Sequence, residues 1–482
     1  MTETESLFSR LQALADSDLI PLHMPGHKRR GFGELPEELA ALDITEIEGF
    51  DNLHEPEGIL KAAQERAAQL CGAEETCFLV GGGSSGVLTA ICGAVSAGGE
   101  ILLDRDAHRS AYHALYLRGI QPKYLKRELS RGGLFPEAVT PEEVERGIRE
   151  NPRAQAVFLV SPTYEGRIAD IARIAKIVHA AGKLLIVDEA HGAHLPFLGG
   201  PAQSAVRLGA DLVIQSTHKT LPAPTQTALL HICSDRADAE AIHRFLRIYQ
   251  SSSPSYLLMA GIDNAMRVMK RDGQELCKGL KQRFELLLTQ LSELKFLQIR
   301  PTLEECREGI HDYGKLVIGT GGALTEDGIP LTGMELSRML RKEYGIETEM
   351  ALPGFVLAMF TVGDVQAHYD RLQEALTGID GRLREGKQRR RPAYPELLPE
   401  AALSIREAWD ADQVRIPLES AQGRISGDFV GFYPPGSPVL VPGERIGQQQ
   451  IDLILRSRAG GFSLQGILTK DGETWIKVPS GR

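Results

Sequence analysis

The chain has 482 residues, of which 42% are hydrophobic and 24% are charged, and its formal net charge is −10 at pH 7. These fractions are typical of a globular protein in water. The acidic balance argues against nucleic acid as a partner, because phosphate backbones are bound by basic surfaces. The sequence contains no run of about 18 apolar residues, so we expect no membrane-spanning helix.

The six cysteines are scattered and include no CxxC pair. In a chain of this length, that pattern indicates reduced thiols rather than a disulfide framework. The N-terminus is polar and partly acidic, and it lacks the basic region and apolar stretch of a secretory signal. Both observations predict a cytoplasmic protein.

In chain order, the pattern opens with an N-terminal segment, 1–57, that begins with an amphipathic helix at 3–16. A helix from Gly58 to Cys71 follows and is stopped by Gly72. Short apolar segments then alternate with helical patterns. The predicted strands of this alternation are 76–80, 100–104, 156–162, 183–191, 211–219 and 227–232.

Nearly all-apolar strands separated by helices indicate a mostly parallel sheet that is covered on both faces. We therefore predict an α/β fold whose ligand site lies past the carboxyl ends of the strands. This large domain is expected over 58–290. Smaller C-terminal domains of the α+β class are expected after it, and the first of them is a small α/β domain over 291–385. The segment 386–400 combines a basic run with prolines and is predicted to be a linker, so that 401–482 forms a third, smaller domain.

The segment GGGSSG, 81–86, lies between a predicted strand and a predicted helix, and we expect it to be a loop. Glycines let a backbone approach a ligand closely, and a helix N-terminus supplies free N–H groups. Together with the hydroxyls of Ser84 and Ser85, these features favour an anion cradle. A tight turn with N-capping serines is the alternative. A P-loop is excluded, because no GK[ST] follows.

The segment VDEAHGAH, 187–194, ends an apolar strand with a carboxylate, and three interpretations compete. A DEAH-type nucleoside triphosphatase would need a P-loop, which the sequence lacks. A metal site would use Asp188, His191 and His194. In the third interpretation, Asp188 pairs with the protonated ring nitrogen of a cofactor.

Lys219 lies in QSTHKT, 215–220, just past another apolar strand. Taken alone, a lysine is most often a solvated surface residue. Taken with the other two segments, it fits one chemistry. Pyridoxal phosphate needs a phosphate cradle, a carboxylate at its ring nitrogen and a lysine that forms a Schiff base with its aldehyde. The sequence offers these in the order GGGSSG, Asp188 and Lys219.

These segments resemble the bacterial ornithine/lysine/arginine decarboxylase family, whose members are fold type I pyridoxal-phosphate enzymes related to aspartate aminotransferase. The resemblance is to the short Gram-positive-type members, which lack the N-terminal wing domain of the larger decarboxylases. The similar segments span most of the chain and are PLHMPGHK (21–28), FDNLHEPEGIL (50–60), FLVGGGSSG (78–86), LLDRDAHRS (102–110), SPTYEG (161–166), VDEAHGAH (187–194), STHKT (216–220), SSSPSYLLMAGID (251–263) and FYPPGSPVLVPGERI (432–446).

The resemblance implies a role for each matching position, with 58–290 as the cofactor-binding domain and 401–482 as the C-terminal decarboxylase domain. Lys219 would bind the cofactor aldehyde, Asp188 would keep the ring nitrogen protonated and His108 would stack on the ring. The implied catalytic residues are Lys219, His218, Asp188 and His108. The implied cofactor-binding residues are Gly83, Ser84, Ser85, His108, Asp188, His191, Ser216, His218, Lys219 and Ser253. No metal is expected among them.

Two positions depart from the family pattern. A tryptophan can stand in the family where His191 stands here, and Gly83 replaces the threonine of the more usual GTS-type cradle. The resemblance further implies a homodimer or larger homo-oligomer with composite active sites, in which residues 251–256 reach the neighbouring cofactor.

The implied reaction is the decarboxylation of a basic amino acid, with arginine favoured and lysine or ornithine next, to carbon dioxide and an amine that is a polyamine precursor. Asp51, Glu55 and Glu444 are the candidates for binding the distal cation of the substrate, and a solvated carboxylate is the alternative for each. Another fold type I activity, such as that of an aminotransferase or an aldolase-like lyase, stays open. So does a protein that keeps the fold without catalysis.

Overall fold

The computed structural model describes residues 5–130, 133–386, 398–434 and 436–481, so most of the predicted linker at 386–400 lies outside the described residues. The chain divides into two compact units, which we call the first and second units, and the domain boundaries stated above stay predictions. The first unit comprises Met1–Val95, Gln155–Ser161 and Asp170–Gly279, and the second comprises Ser96–Ala154, Pro162–Ala169 and Leu280–Arg482.

Helices make up much of both units. The α-helices of the described residues are α1 (Leu7–Ala15), α2 (Glu37–Ala41), α3 (Ile59–Cys71), α4 (Gly82–Ala94), α5 (Arg109–Arg118), α6 (Pro141–Glu150), α7 (Ile171–Ala180), α8 (Leu195–Leu198), α9 (Thr217–Thr220), α10 (Ala239–Tyr249), α11 (Tyr256–Leu291), α12 (Leu303–Arg307), α13 (Gly333–Tyr344), α14 (Gln366–Asp380), α15 (Ile405–Trp409) and α16 (Gln448–Ala459). Among these helices, none has both the length and the apolar character that crossing a bilayer requires.

Most of the strands are short. Those of the described residues are β1 (Glu75–Leu79), β2 (Glu100–Asp104), β3 (Gln121–Leu125), β4 (Ala154–Val160), β5 (Leu184–Asp188), β6 (Leu212–Gln215), β7 (Ala228–Ile232), β8 (Gln298–Arg300), β9 (Lys315–Gly319), β10 (Met350–Leu352), β11 (Phe355–Met359), β12 (Gln413–Pro417), β13 (Val430–Phe432), β14 (Pro438–Leu440), β15 (Leu464–Gln465), β16 (Ile467–Lys470) and β17 (Glu473–Pro479).

The sheet of the first unit contains strands in the order β1-β7-β6-β5-β4. Strands β4, β5 and β6 pair in parallel, whereas β7 runs antiparallel to both β6 and β1. Strand β1 therefore has the same direction as β4, β5 and β6, and β7 alone of these five is reversed. This arrangement confirms the predicted mostly parallel sheet.

The strands of this sheet are buried because most of their residues are apolar. All residues of β6 and β7 are buried, as are residues 185–188 of β5. Such strands are expected where both faces of a sheet are covered. Their shared direction brings the carboxyl ends of β1, β5 and β6 to one edge. Asp188 ends β5 there, and Gly81 and Ser216 come just after β1 and β6.

The second unit combines a parallel pair, β2 and β3, with three smaller sheets. Their strand orders are β10-β11-β9-β8, β12-β17-β16 and β14-β13-β15, and every recorded pairing within them is antiparallel. Residues from all three sheets, among them Phe355, Val430 and Ile476, belong to one buried apolar cluster. These sheets and their helices are the smaller α+β part that the sequence predicted.

Several predicted element boundaries were wrong. Residues 81–86 are not a loop, because α4 already begins at Gly82; the first turn of a helix tolerates glycine and serine, since its N–H groups have no intrahelical partners. The strand predicted over 211–219 ends at Gln215, and the one predicted over 183–191 ends at Asp188. Strand β3 was not predicted, because its sequence QPKYL is half polar.

Candidate active site

The GGGSSG segment is packed directly against the segment that carries Lys219. A Cβ atom on Gly83 would lie 2.7 Å from Ser216 Oγ, and one on Gly86 would lie 2.7 Å from Leu79 Cδ1. Side-chain carbons are essentially never found this close to other heavy atoms, so a side chain at either position would require the neighbouring side chain to move. The structure thus brings together two of the three segments that the sequence connected to one cofactor.

The N-terminus of α4 is open to an anion. Its first N–H groups have no intrahelical acceptors, and the N-cap residue Gly81 makes no side-chain cap. Ser84 is exposed, whereas Ser85 is buried and donates its hydroxyl to the Gly82 carbonyl at 2.8 Å. Neither serine is the N-cap, so the alternative of a capped turn is wrong. The partial positive charge of the helix N-terminus favours an anion such as a phosphate.

Lys219 is held inside the site rather than in bulk solvent. It lies in α9, is half-buried, and its Nζ is 3.1 Å from His191 Nε2. A lysine ammonium only donates, so His191 Nε2 is the acceptor when Lys219 is charged. Asp188 is buried at the end of β5, and its Oδ1 accepts the Ala190 N–H at 3.1 Å. The side chains of His191 and Lys219 therefore link the segments that follow β5 and β6.

The metal interpretation of VDEAHGAH is not supported by the geometry. Asp188, His191 and His194 do not bring their ligand atoms together as a metal-binding group. Within the described residues, the one group of three such side chains that does so lies elsewhere in the first unit. His191 is instead a partner of Lys219.

His218 has a defined tautomer. Its Nδ1 lies 2.8 Å from the Thr227 carbonyl, which can only accept, so Nδ1 carries a proton. Burial lowers the pKa of His218, the Thr227 hydrogen bond opposes this, and the charge of Lys219 lowers it further. The ring is therefore neutral near pH 7, with the lone pair on Nε2. Thr227, just before the reversed strand β7, lies at the same sheet edge; the sequence reasoning missed it.

A buried polar network lies beneath this edge and was also missed. Glu189 accepts hydrogen bonds from Ser204 Oγ and Gln215 Nε2, each at 2.6 Å, and from the Ala205 N–H at 2.7 Å. Gln215 Oε1 in turn is 3.1 Å from His231 Nε2. Burial raises the pKa of Glu189 to about 7 and lowers that of His231 to about 3. The network joins the residue after Asp188 to the residue before Ser216.

His108 belongs to the second unit and is the N-cap of α5. Its Nδ1 is bonded to Ser110, at 2.9 Å from the hydroxyl and 3.2 Å from the N–H. On the other side, a Cβ on Gly436 would lie 2.9 Å from His108 Cδ2, and Gly436 has a φ of +86°. The ring is thus held in place by its own helix and by a C-terminal glycine.

Two of the three carboxylates considered for the substrate cation are already engaged. Glu444 is buried and pairs with Arg105 at 2.9 Å. The Asp51 carboxylate accepts backbone N–H bonds from Asn52, Glu57, Gly58, Leu60 and Lys61. Glu55 is exposed.

Ser253 is exposed in a turn in which its N–H donates to Ser251 Oγ at 3.1 Å. Its predicted contact with a neighbouring cofactor stays a prediction.

The mostly parallel sheet, with a glycine-rich helix start after β1 and a lysine after β6, defines the class of this fold as fold type I. The family model "Orn/Lys/Arg decarboxylase, major domain" matches residues 6–302, and "Orn/Lys/Arg decarboxylase, C-terminal domain" matches residues 387–467. The chain belongs to the Orn/Lys/Arg decarboxylase family. The resemblance read from the sequence is confirmed.

Proteins similar to this chain are named for two different substrates, arginine and lysine. The arginine decarboxylase of Bacillus subtilis (strain 168) is 32% identical over 480 residues, which cover 95% of each chain. The constitutive lysine decarboxylase of Escherichia coli (strain K12) is 23% identical, over 89% of this chain and 72% of that one. Among solved structures, the Francisella novicida lysine decarboxylase gives a TM-score of 0.82 at 21% identity and covers 98% of this chain and 81% of its own.

Replacing Glu189 with glutamine should change how stability depends on pH. The native pKa of Glu189 is about 7 instead of 4.5, so the unfolded chain loses this proton at lower pH than the native protein does. The contribution of this group is therefore highest below about pH 4.5, falls as the pH rises to about 7, and is constant above that. Over this window the native protein should lose about 3 kcal/mol relative to Glu189→Gln.

Urea unfolding of both proteins between about pH 5 and about pH 8 measures this difference. Glu275→Gln, which removes an exposed carboxylate of α11 by the same substitution, is the control outside the buried network. Parallel pH profiles for the wild type and Glu189→Gln would contradict the assigned protonation.

Proposed function

We propose that this protein is a pyridoxal-phosphate-dependent decarboxylase of a basic amino acid, with arginine as the first substrate and lysine or ornithine next. The observation that carries the proposal is the position of Lys219, whose Nζ contacts His191 while its own segment packs against Gly83. Membership of the Orn/Lys/Arg decarboxylase family supports the reaction. The name of the Bacillus subtilis relative supports arginine.

The residues at the sheet edge fit this cofactor. The open N-terminus of α4, with Ser84 and Ser216, would hold the phosphate, because Gly83 leaves room for close contact between helix and hydroxyl. Lys219 would bind the aldehyde, and the buried carboxylate of Asp188 would pair with the ring nitrogen. When bound, pyridoxal phosphate supplies the electron sink that accepts the electron pair left by the departing carboxylate.

Two residues are placed to handle the proton that must return to Cα. His218 keeps one proton on Nδ1, bonded to Thr227, so its Nε2 is the atom that accepts or passes on a second proton. Lys219 Nζ is the other candidate, and His191 holds it in position. Because burial lowers the pKa of His218, its ring releases a proton readily near neutral pH.

Among the three carboxylates considered from the sequence, Glu55 is the one that would bind the distal cation of the substrate. Asp51 and Glu444 use their carboxylates within the protein. The carboxylate of Glu55 is exposed, and among the described residues it has no recorded hydrogen bond or ion pair.

We further propose a cytoplasmic homodimer or larger homo-oligomer with composite active sites, in which Ser253 reaches the neighbour's cofactor. Ser253 is exposed in the single chain. A residue that contacts the active site of another subunit must be exposed in this way before the subunits assemble. Large apolar side chains near the N-terminus are exposed as well: Leu22 has 89% and Ile20 73% of its surface accessible. A surface of this kind is expected where another chain packs.

Lys219→Ala should abolish carbon dioxide release from arginine, because no amine remains to bind the cofactor aldehyde. It should also remove the visible absorbance band that borohydride reduction shifts in the wild type. Lys278→Ala, at an exposed position of α11, is the matched control and should keep both properties. Full activity of Lys219→Ala would refute the assignment.

A panel of L-arginine, L-lysine and L-ornithine should give carbon dioxide and the corresponding diamine or agmatine, with the highest kcat/KM for arginine. Release of carbon dioxide and identification of the amine by mass spectrometry measure this outcome. Formation of a keto acid without carbon dioxide would instead favour an aminotransferase.

Gly83→Ala should weaken pyridoxal-phosphate binding. The new Cβ would lie 2.7 Å from Ser216 Oγ, and overpacking of this kind costs about 1–3 kcal/mol, which, applied to the bound state, raises Kd roughly 5- to 150-fold. Spectroscopic titration of the apoenzyme measures it. Gly363→Ala, where the nearest heavy atom is 3.5 Å from the new Cβ, is the control. Equal affinities in the two variants would show that position 83 does not shape the cradle.

A further inference from the structure

Glu75, Cys77 and His243 form a cluster in the first unit that the candidate active site does not use. Glu75 and Cys77 belong to β1, and His243 belongs to α10. Side chains two residues apart on a strand point to the same face, so β1 presents a carboxylate and a thiol side by side. One potential ligand atom from each of the three residues lies within 4.8 Å of the other two.

The contacts within the cluster are short. His243 Nε2 is 2.6 Å from Glu75 Oε1, and Cys77 Sγ donates to the same oxygen at 3.4 Å. Nitrogen, oxygen and sulfur of these residue types are the ligands of zinc, at about 2.0–2.3 Å from the ion. Small shifts of the three side chains would place all three atoms around one ion.

The cluster is open to solvent on one side. The side chains of Glu75 and His243 are 42% and 39% exposed, whereas Cys77 is buried behind them. An ion can therefore enter past the carboxylate and the imidazole and meet the thiol last. Three protein ligands would leave a fourth, outward position for a water molecule.

We propose that Glu75, Cys77 and His243 form a binding site for a divalent cation of the zinc type. On binding, the Cys77 thiol gives its proton to solvent, and His243 gives up the Nε2 proton that it donates to Glu75, to solvent when the ring is charged or with transfer of a proton to Nδ1 when it is neutral. One bond from each of the two residues to the ion then replaces their hydrogen bond. The thiolate and the carboxylate neutralise the two positive charges of the ion. Arg247, which acts electrostatically on His243, is a positive group that opposes binding.

The two elements that the ion would join also lead to the candidate active site. Gln250, which follows α10, accepts the Val80 N–H at 2.9 Å and donates to the Phe78 carbonyl at 3.1 Å. This contact fixes α10 to the carboxyl end of β1, just before Gly81. An ion at Glu75 would add a second link at the other end of the strand, so we expect it to raise thermal stability.

Titration of the holoenzyme with Co²⁺ tests the site, because a cobalt–thiolate bond gives a charge-transfer band in the near ultraviolet. We expect one equivalent to bind with this band, and Zn²⁺ to displace it and to raise the melting temperature. Cys77→Ser should lose the band, and His243→Gln should weaken binding about tenfold or more. Glu75→Gln, at an exposed side chain, should weaken it as well.

Two variants serve as matched controls. Cys233→Ser replaces a half-buried cysteine of the same unit, and His368→Gln replaces an exposed histidine whose Nδ1 lies 2.8 Å from Asp364 Oδ1. Both should titrate like the wild type. The proposal fails if stoichiometric Co²⁺ gives no band, or if the band persists in Cys77→Ser. It also fails if His243→Gln and Glu75→Gln, which test the site even where Cys77→Ser does not fold, bind as tightly as the controls.

Discussion

The close approach between the backbone of Gly83 and the hydroxyl of Ser216 is the contact on which the site depends. It exists because β1 and β6 flank the reversed strand β7 and end at the same sheet edge. The contact joins the open start of α4 to the turn that carries Lys219. A side chain at position 83 would require the Ser216 hydroxyl to move. Glycine leaves this contact undisturbed, and the position of the helix start relative to Lys219 follows from the packing.

The sequence alone predicted those elements whose structure is determined by a local pattern of residues. The apolar segments of β2, β5 and β6 predicted buried strands, because only strands covered on both faces have such sequences. Strand direction then put Asp188 and Lys219 at one edge. The last residue of each strand could not be predicted. The polar segment STHK after β6 is compatible both with a strand that continues into solvent and with the short helix α9 that the structure shows.

The partners of buried charges were not predictable, because they come from distant parts of the chain. Glu444 looked like a candidate for binding a cation, but its partner Arg105 lies 339 residues away in sequence. The bonds among Glu189, Gln215 and His231 likewise join three separate strand ends. Such pairings leave no periodic pattern in the sequence, and a single sequence shows only that the paired side chains are polar. The residue types indicated the candidate site residues, whereas the packing of the folded chain determined which neighbours they have.

The glycine beside His108 has a consequence for how this chain could diverge. Gly436 has a left-handed backbone and no room for a Cβ, so the C-terminal region holds the imidazole of a residue encoded near the start of the second unit. We therefore expect the segment around His108 and the segment around Gly436 to be inherited together. A recombinant that took its C-terminal region from a relative with a bulkier residue at this position would receive a ring turned away from its native orientation.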